Sequence, residues 1–239
     1  MHTTQHRLET PDKLRAPEHR NECTIIKSAR LCIREFNLAD APALQQMHAD
    51  SRVTALLIDD AGVPLNDATN AARFIHAAMQ LYRQYEGYGI WAVDALLAPD
   101  ASGPHSPEHG ARSEFCGFFA LMPVNELPGD VEIGIRLKPS TWGSGLSFEG
   151  TRLLLGYAFD QLQLSEVWAF CDPRNRSARA NNEAQGADWI RDAAYQDRLA
   201  SHYLLSRSVF ETTRHESRQQ RMRAVLRRRA IDEAAAGSL

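Results

Sequence analysis

Apolar and polar residues alternate over 30–36 (R-L-C-I-R-E-F), with Leu31 and Ile33 on one side, which predicts a strand. The polar stretch N-L-A-D offers Asn37 or Asp40 as a cap for a helix through A-P-A-L-Q-Q-M-H. Over 67–86, Ala71, Phe74, Ile75, Ala78, Leu81, Tyr82 and Tyr85 recur at helical spacing; Asp67 stands at the N-cap and Gly87 ends the element. Strands are predicted over 89–97 and 114–124, joined by the Pro/Gly/Ser-rich loop 98–113, and over 131–137 after the turn Pro128-Gly129-Asp130. A helix then runs to about Leu162, burying Leu155, Ala158, Phe159 and Leu162. The near-continuous apolar run E-V-W-A-F-C (166–171) suits a strand covered on both faces. A helix from about Asn175 to Gln185 meets a natural C-cap at Gly186, and 201–210 reads as the last strand. Trp142 and Trp168 are expected in the core.

That order predicts an α+β (mixed α/β) fold with one sheet flanked by helices. Residues 1–27 are polar and without periodicity, and read as a flexible N-terminal arm. The folded domain is placed at 28–212 and an arginine-rich helical tail at 213–239.

Charge changes the picture only in that tail. The chain of 239 residues has a formal net charge of −3. Residues 214–239 carry seven arginines against three acids, which leaves the remainder near −7. Met222, Val225, Leu226 and Ala230 fall on one side of a helix that short, so it needs a surface to fold against. The chain's own acidic domain is the preferred surface; a second copy of the chain, or ribosomal RNA, is the alternative. No run of about 18 apolar residues predicts a membrane span, and the polar N-terminus does not read as a secretory signal. Cys23, Cys32, Cys116 and Cys171 form no C-x-x-C pair, so reduced thiols in a cytoplasmic protein are expected rather than a zinc site. His105 and His109 lie in a loop composition and read as solvent-exposed rather than as metal ligands. No metal is expected.

The chemistry concentrates in V-E-I-G-I-R-L-K-P-S-T-W-G-S-G-L-S-F-E-G. A strand enters a glycine-bearing turn that opens a helix. Such a turn aims several N–H groups outward at the positive end of the helix dipole, which suits a pyrophosphate. Gly143 and Gly145 permit close backbone approach and unusual dihedrals. The stretch lacks the Gly-Lys-Ser/Thr of a Walker loop. It also lacks the third glycine of a dinucleotide fingerprint, since position 148 is Phe, and the spacing of a nucleophile elbow.

The chain resembles the GNAT N-acetyltransferase superfamily, and within it the RimJ/RimL-type branch of ribosomal-protein N-terminal acetyltransferases. The resemblance is carried by Glu132-Ile-Gly134-Ile-Arg-Leu137, by Pro139-Ser-Thr-Trp142-Gly143-Ser-Gly145-Leu-Ser-Phe-Glu149-Gly, by Tyr157-Ala-Phe159, and by Asn175 with Glu183 and Gly186 at the branch's spacing. It spans roughly 30–210. Ser140 stands where the family's turn usually begins with Arg or Gln. Ser144, Ser147, Phe148, Ala178, Ala184 and Ala187 also depart from the common pattern, and Gly150 lies inside the predicted helix, where it costs about 1 kcal/mol against Ala.

The resemblance implies acetyl-CoA in a cleft between splayed strands of one central mixed sheet. The main chain of Ile135 and Leu137 would hold the pantetheine. The amides of Trp142, Gly143, Ser144, Gly145, Leu146 and Ser147 would hold the pyrophosphate, and Asn175 would touch the cofactor from the other side. The acceptor would be an amine, either a protein N-terminus or a small molecule. An α-amino group has a pKa near 8 and lysine about 10.4, so a base helps more with lysine. Glu132, on the strand lining the cleft, is the candidate base, through a bridging water; a salt-bridged strand residue is the equal alternative. Tyr203 and Ser177 are weaker candidates for the acid that meets the leaving thiol. Glu149 is read as complementing the helix dipole. A second reading keeps the fold and drops the chemistry: a catalytically silent acyl-CoA-binding or ribosome- or RNA-associated module. A homodimer stays open.

Overall fold

The computed structural model describes residues 24–58, 63–96, 113–124, 130–195 and 197–236. In chain order the elements are β1 (Thr24–Lys27), β2 (Leu31–Arg34), α1 (Ala41–Ala49), α2 (Ser51–Thr54), α3 (Ala68–Gln84), β3 (Gly89–Leu96), β4 (Ser113–Pro123) and β5 (Val131–Leu137). A 3-10 turn (Pro139–Thr141) leads to α4 (Leu146–Gly156), which ends in a π-helical turn (Tyr157–Gln161). Then come β6 (Glu166–Cys171), α5 (Arg176–Gln185), β7 (Asp188–Tyr195), β8 (Arg198–Ser206), α6 (Arg207–Thr213) and α7 (Arg218–Ala236). The strands form one sheet in the order β1-β2-β3-β4-β5-β6-β8-β7. Neighbours are antiparallel except β5 and β6, which run parallel, so the sheet is mixed as the order of elements implies.

Side chains alternate across the sheet. Leu31, Ile33, Trp91, Phe119, Leu121, Ile133, Val167, Tyr203 and Leu205 point to one face and pack with Leu154, Leu155, Phe159 and Phe210 of the α4 and α6 segments. Phe36, Ala92, Phe115 and Phe118 belong to the other face, against Leu44 and Met47 of α1 and Ala71 and Ile75 of α3. Asn37 caps the 3-10 turn Leu38–Asp40 through Ala39 N–H, while the Asp40 side chain makes no cap bond to α1. Asp40 instead joins Asp94 in holding the largely buried Arg34 guanidinium, which ties β2, β3 and the start of α1 together. Those two carboxylates push the Arg34 pKa further up. Asp67 caps α3 and Gly186 (φ 95°) ends α5, as their positions predict.

Four segments differ from the sequence expectation. Thr24–Lys27, within the stretch read as an arm, adds β1 to the edge of the sheet beside β2; four residues are too few to show a period. β7 was not expected: as an edge strand it exposes nearly every residue and carries no apolar alternation. The last strand stops at Ser206, whose hydroxyl accepts from Val209 N–H and starts α6, so Phe210 is helical. The tail is a helix, but its buried stripe is narrower than predicted. Val225 is buried, whereas Leu226 is exposed. Arg221 Nε donates to the Ala184 carbonyl (2.9 Å), Arg228 pairs with Asp188 (3.1 Å) and Arg229 with Glu183 (2.5 Å), which lays α7 along α5 and the start of β7. His105 and His109 lie outside the described residues. No helix among the described residues is long and apolar enough to cross a membrane.

Candidate active site

The opening in the sheet follows from the register of β5. Lys138 N–H donates to the Cys116 carbonyl (2.8 Å) and Val124 N–H to the Asp130 carbonyl (2.9 Å). Main-chain direction alternates along such a ladder, so the even-numbered residues of β5 face β4. The N–H and C=O groups of Ile133, Ile135 and Leu137 therefore point toward β6. Among the described residues β5 and β6 share one register pair, Glu132↔Trp168, and beyond it the strands part. Ile135 and Leu137 thus direct main-chain groups into the gap. The Leu137 carbonyl is already engaged by the Trp142 indole N–H (2.9 Å). That bond explains why Trp142, expected in the core, is half exposed: it lies over the end of β5 as a brace for the turn.

The turn places two glycines in left-handed backbone, Gly143 (φ 77°) and Gly145 (φ 88°), the second as N-cap of α4 with no side-chain cap. A Cβ at Gly143 would meet nothing within 4 Å. The glycines serve the dihedral and leave the turn open on its outer side. Within the turn Trp142 N–H donates to Pro139, Ser144 N–H to Thr141, and Leu146 N–H to the Ser144 hydroxyl. The first N–H groups of a helix have no partner within it. Those of Ser147 and Phe148 meet no acceptor among the described residues and point along the dipole at its positive end. Of the six amides expected to form the cradle, those of Trp142, Ser144 and Leu146 are occupied by the turn itself. The N–H groups of Gly143, Gly145, Ser147 and Phe148 meet no acceptor among the described residues. Glu149 accepts from Ser28 Oγ (2.7 Å) and from Arg30 (3.1 Å), which anchors the first turn of α4 to the β1–β2 hairpin.

Gly150 has a packing reason. A Cβ there would lie 2.4 Å from Cζ of the fully buried Phe119, so the ring occupies the space a side chain would need.

Glu132 faces the opposite way from the α4 core. Its carboxylate accepts from the Tyr195 hydroxyl (2.6 Å). Tyr195 stacks on Phe170 (ring centroids 4.3 Å), Phe170 on Trp168 (6.0 Å), and His202 meets Phe170 edge-on (4.8 Å). Ile58, Val124 and Ala200 pack with Tyr195 and Phe170. His202 is buried, and neither ring nitrogen makes a well-formed hydrogen bond among the described residues. Burial holds its pKa below the ordinary value, against a smaller upward pull from the Ala193 main chain.

The other expected site residues fall elsewhere. Tyr203 is fully buried on the α4 face, with its hydroxyl accepting from Arg179 Nε (3.1 Å); burial raises its pKa and the guanidinium opposes this. It stands on the far side of the sheet from Glu132. Ser177 is exposed on the first turn of α5. The Asn175 side chain accepts from Ala178 N–H (3.1 Å) as the N-cap of α5. Tyr195, which does touch Glu132, was missed because β7 was; no period marks an exposed edge strand.

Over residues 30–188 the chain matches the acetyltransferase (GNAT) domain family. The chain belongs to that family. A stretch of 77 residues is 38% identical to an FsC-acetyl coenzyme A-N(2)-transacetylase of Aspergillus fumigatus; it covers 29% of this chain and about a third (33%) of that relative's length. An acetyltransferase from Agrobacterium tumefaciens has the same fold (TM-score 0.57, 20% identity, 82% of this chain and 100% of that one). So does RimL, a ribosomal L7/L12 alpha-N-protein acetyltransferase solved with coenzyme A (TM-score 0.56, 16% identity, 77% of this chain and 97% of that one).

Acetyl-CoA is the cofactor of GNAT acetyltransferases, and the residues present fit it. The open outer side of the glycine turn and the helix-end amides suit a pyrophosphate, and the outward main chain of Ile135 suits the amide-bearing pantetheine arm. The sheet parts between these two places and Glu132.

Proposed function

We propose that the chain transfers an acetyl group from acetyl-CoA to an amine, with Glu132 as the proton acceptor and Tyr195 holding it in place. The observation that carries this reading is the position of Glu132. It stands at the last register pair before β5 and β6 separate, on the face away from the α4 core, with its carboxylate fixed by Tyr195. Bound acetyl-CoA supplies the thioester and carries away the thiol. The main chain of Ile135 holds the arm, and the amides of Gly143, Gly145, Ser147 and Phe148 hold the phosphates. Glu132 takes the proton that the ammonium must lose before its nitrogen can attack, directly or through one water. The thiol leaves with an intrinsic pKa near 8.5, so it asks little of an acid. On this reading Tyr203 and Ser177 hold no catalytic place.

The acceptor meets the wall of Trp168, Phe170 and Tyr195. Flat aromatic faces beside a carboxylate favour an ammonium on an apolar or planar carrier over an anionic one. The Aspergillus relative is named for N(2) transacetylation and RimL for alpha-N-protein acetylation; both names point to a nitrogen acceptor. Arg221, Arg228 and Arg229 reach partners on the domain itself, which supports the tail's docking on its own chain.

The test is thiol release from acetyl-CoA against a panel of small amines and N-terminal peptides, with no other protein present. Amine-dependent release supports the proposal. Tight CoA binding with no release for any acceptor would favour the silent module.

A further inference from the structure

The docking face of α7 carries four arginines, and one of them makes no side-chain hydrogen bond or ion pair among the described residues. Arg221 reaches the Ala184 carbonyl and Glu216, Arg228 reaches Asp188 and Arg229 reaches Glu183. Arg218, one turn before Arg221, makes no side-chain hydrogen bond or ion pair among the described residues. Its place is nevertheless fixed. Ser217 and Gln220 form a capping box at the start of α7: Ser217 N–H donates to Gln220 Oε1 (2.8 Å) and Gln220 N–H to Ser217 Oγ (3.3 Å). Arg218 is therefore the first residue of a helix whose entry and docking are both set.

It is set over the glycine turn. A Cβ built on Gly145 would lie 3.9 Å from Arg218 Cδ and 3.8 Å from Arg30 Nη1. The side chains of Arg30 and Arg218 thus both pass the N-cap of α4. Arg30 is paired with Glu149 and bonded to the Ser144 carbonyl (2.8 Å); Arg218, unpaired among the described residues, extends past the same N-cap. The cation adds to the positive end of the α4 dipole and to the outward N–H groups of Ser147 and Phe148.

We propose that Arg218 is a cofactor-binding residue that pairs with a phosphate of coenzyme A, so that the C-terminal helix completes the nucleotide end of the site. The inference rests on the reading of the turn as the cofactor's phosphate cradle. Arg218 lies beyond residues 30–188, the span shared with the family, so this contact is a property of this chain rather than of the domain.

The experiment is calorimetric titration of the full chain with coenzyme A, which binds without turning over. Arg218→Ala is compared with wild type, with Arg218→Lys, and with Arg227→Ala, an exposed arginine on the same helix. A guanidinium–phosphate contact at a solvent-facing site predicts about fivefold weaker binding for Arg218→Ala, partial recovery with lysine, and no change for Arg227→Ala. The difference should shrink as salt is raised. Dephospho-coenzyme A separates the phosphates: a difference that persists assigns Arg218 to the pyrophosphate, and one that vanishes assigns it to the 3′-phosphate. Equal affinity of wild type and Arg218→Ala, with wild type binding normally, overturns this inference and leaves the cradle standing. No binding of coenzyme A by the wild type overturns both.

Discussion

The face of the sheet under α4 and the face under α1 and α3 are built from the same alternating strands, yet they differ in what they hold between β5 and β8. Under α4 lie Ile133, Val167, Cys171, Tyr203 and Leu205, packed and apolar apart from one hydroxyl tied to Arg179. On the reverse lie Glu132, Trp168, Phe170, Tyr195 and His202, with a carboxylate, a phenol and a buried imidazole among aromatic rings. A packed face fixes the shape of the gap, and a face with reactive groups can use it. The chemistry should therefore respond to changes on the reverse face, and stability to changes under α4.

The largest effect should come from Glu132→Gln. Loss of a general base typically costs about 10²–10⁴-fold in turnover. The loss should be greatest at low pH, where the acceptor is an ammonium, and coenzyme A affinity should not change. A pH–rate profile identical to wild type would place the base elsewhere. Tyr195→Phe removes a hydroxyl that donates to Glu132 and should slow turnover by about tenfold, the equivalent of one hydrogen bond to a charged group. Tyr203→Phe is the matched control on the other face. If Tyr203→Phe slows the reaction as much as Tyr195→Phe, the comparison between the faces fails.

What the sequence made legible divides along the same line. The glycine turn could be read directly because its geometry is local: a strand, two glycines and a helix start between Val131 and Leu146. Gly145 needs its left-handed dihedral whatever surrounds it. The reverse face is assembled from β5, β6, β7 and β8, segments up to 70 residues apart, roughly, whose pairing no local pattern states. Alternation on β8 shows that Tyr203 and His202 face opposite ways, but not which of them shares a face with Glu132. Tyr203 could thus be offered as an acid for the leaving thiol, although it lies on the other face from Glu132. Tyr195 had no signal at all, since the edge strand that carries it is exposed along most of its length. Gly150 looked like a flaw in a helix because Phe119, some thirty residues away, was not in view.

Under α4 the expected effects are on stability. Gly150→Ala raises intrinsic helix propensity, yet it drives a methyl into the Phe119 ring. Overpacking of this kind costs about 1–3 kcal/mol, and a lower melting temperature than wild type is the expected result. A higher melting temperature would show that the ring has room to move. The smallest effect concerns the thiols on that face. Burial pushes both Cys116 and Cys171 up to about 12. A raised thiol pKa means less thiolate at any given pH, so at pH 8 both should resist iodoacetamide in the folded protein and react once it is unfolded. Mass mapping of the modified cysteines reads this. Rapid labelling of either in the native state would show that the α4 face opens.

The central claim is that the glycine turn before α4 holds the phosphates of acetyl-CoA. Titration calorimetry of coenzyme A into wild type and Gly145→Val tests it most directly, with circular dichroism confirming that the variant is folded. Valine at φ 88° is a strained backbone state, and its side chain fills the open approach between Arg30 and Arg218. The account predicts saturable binding to wild type and no measurable heat with the variant. Binding of equal affinity to both proteins would contradict it.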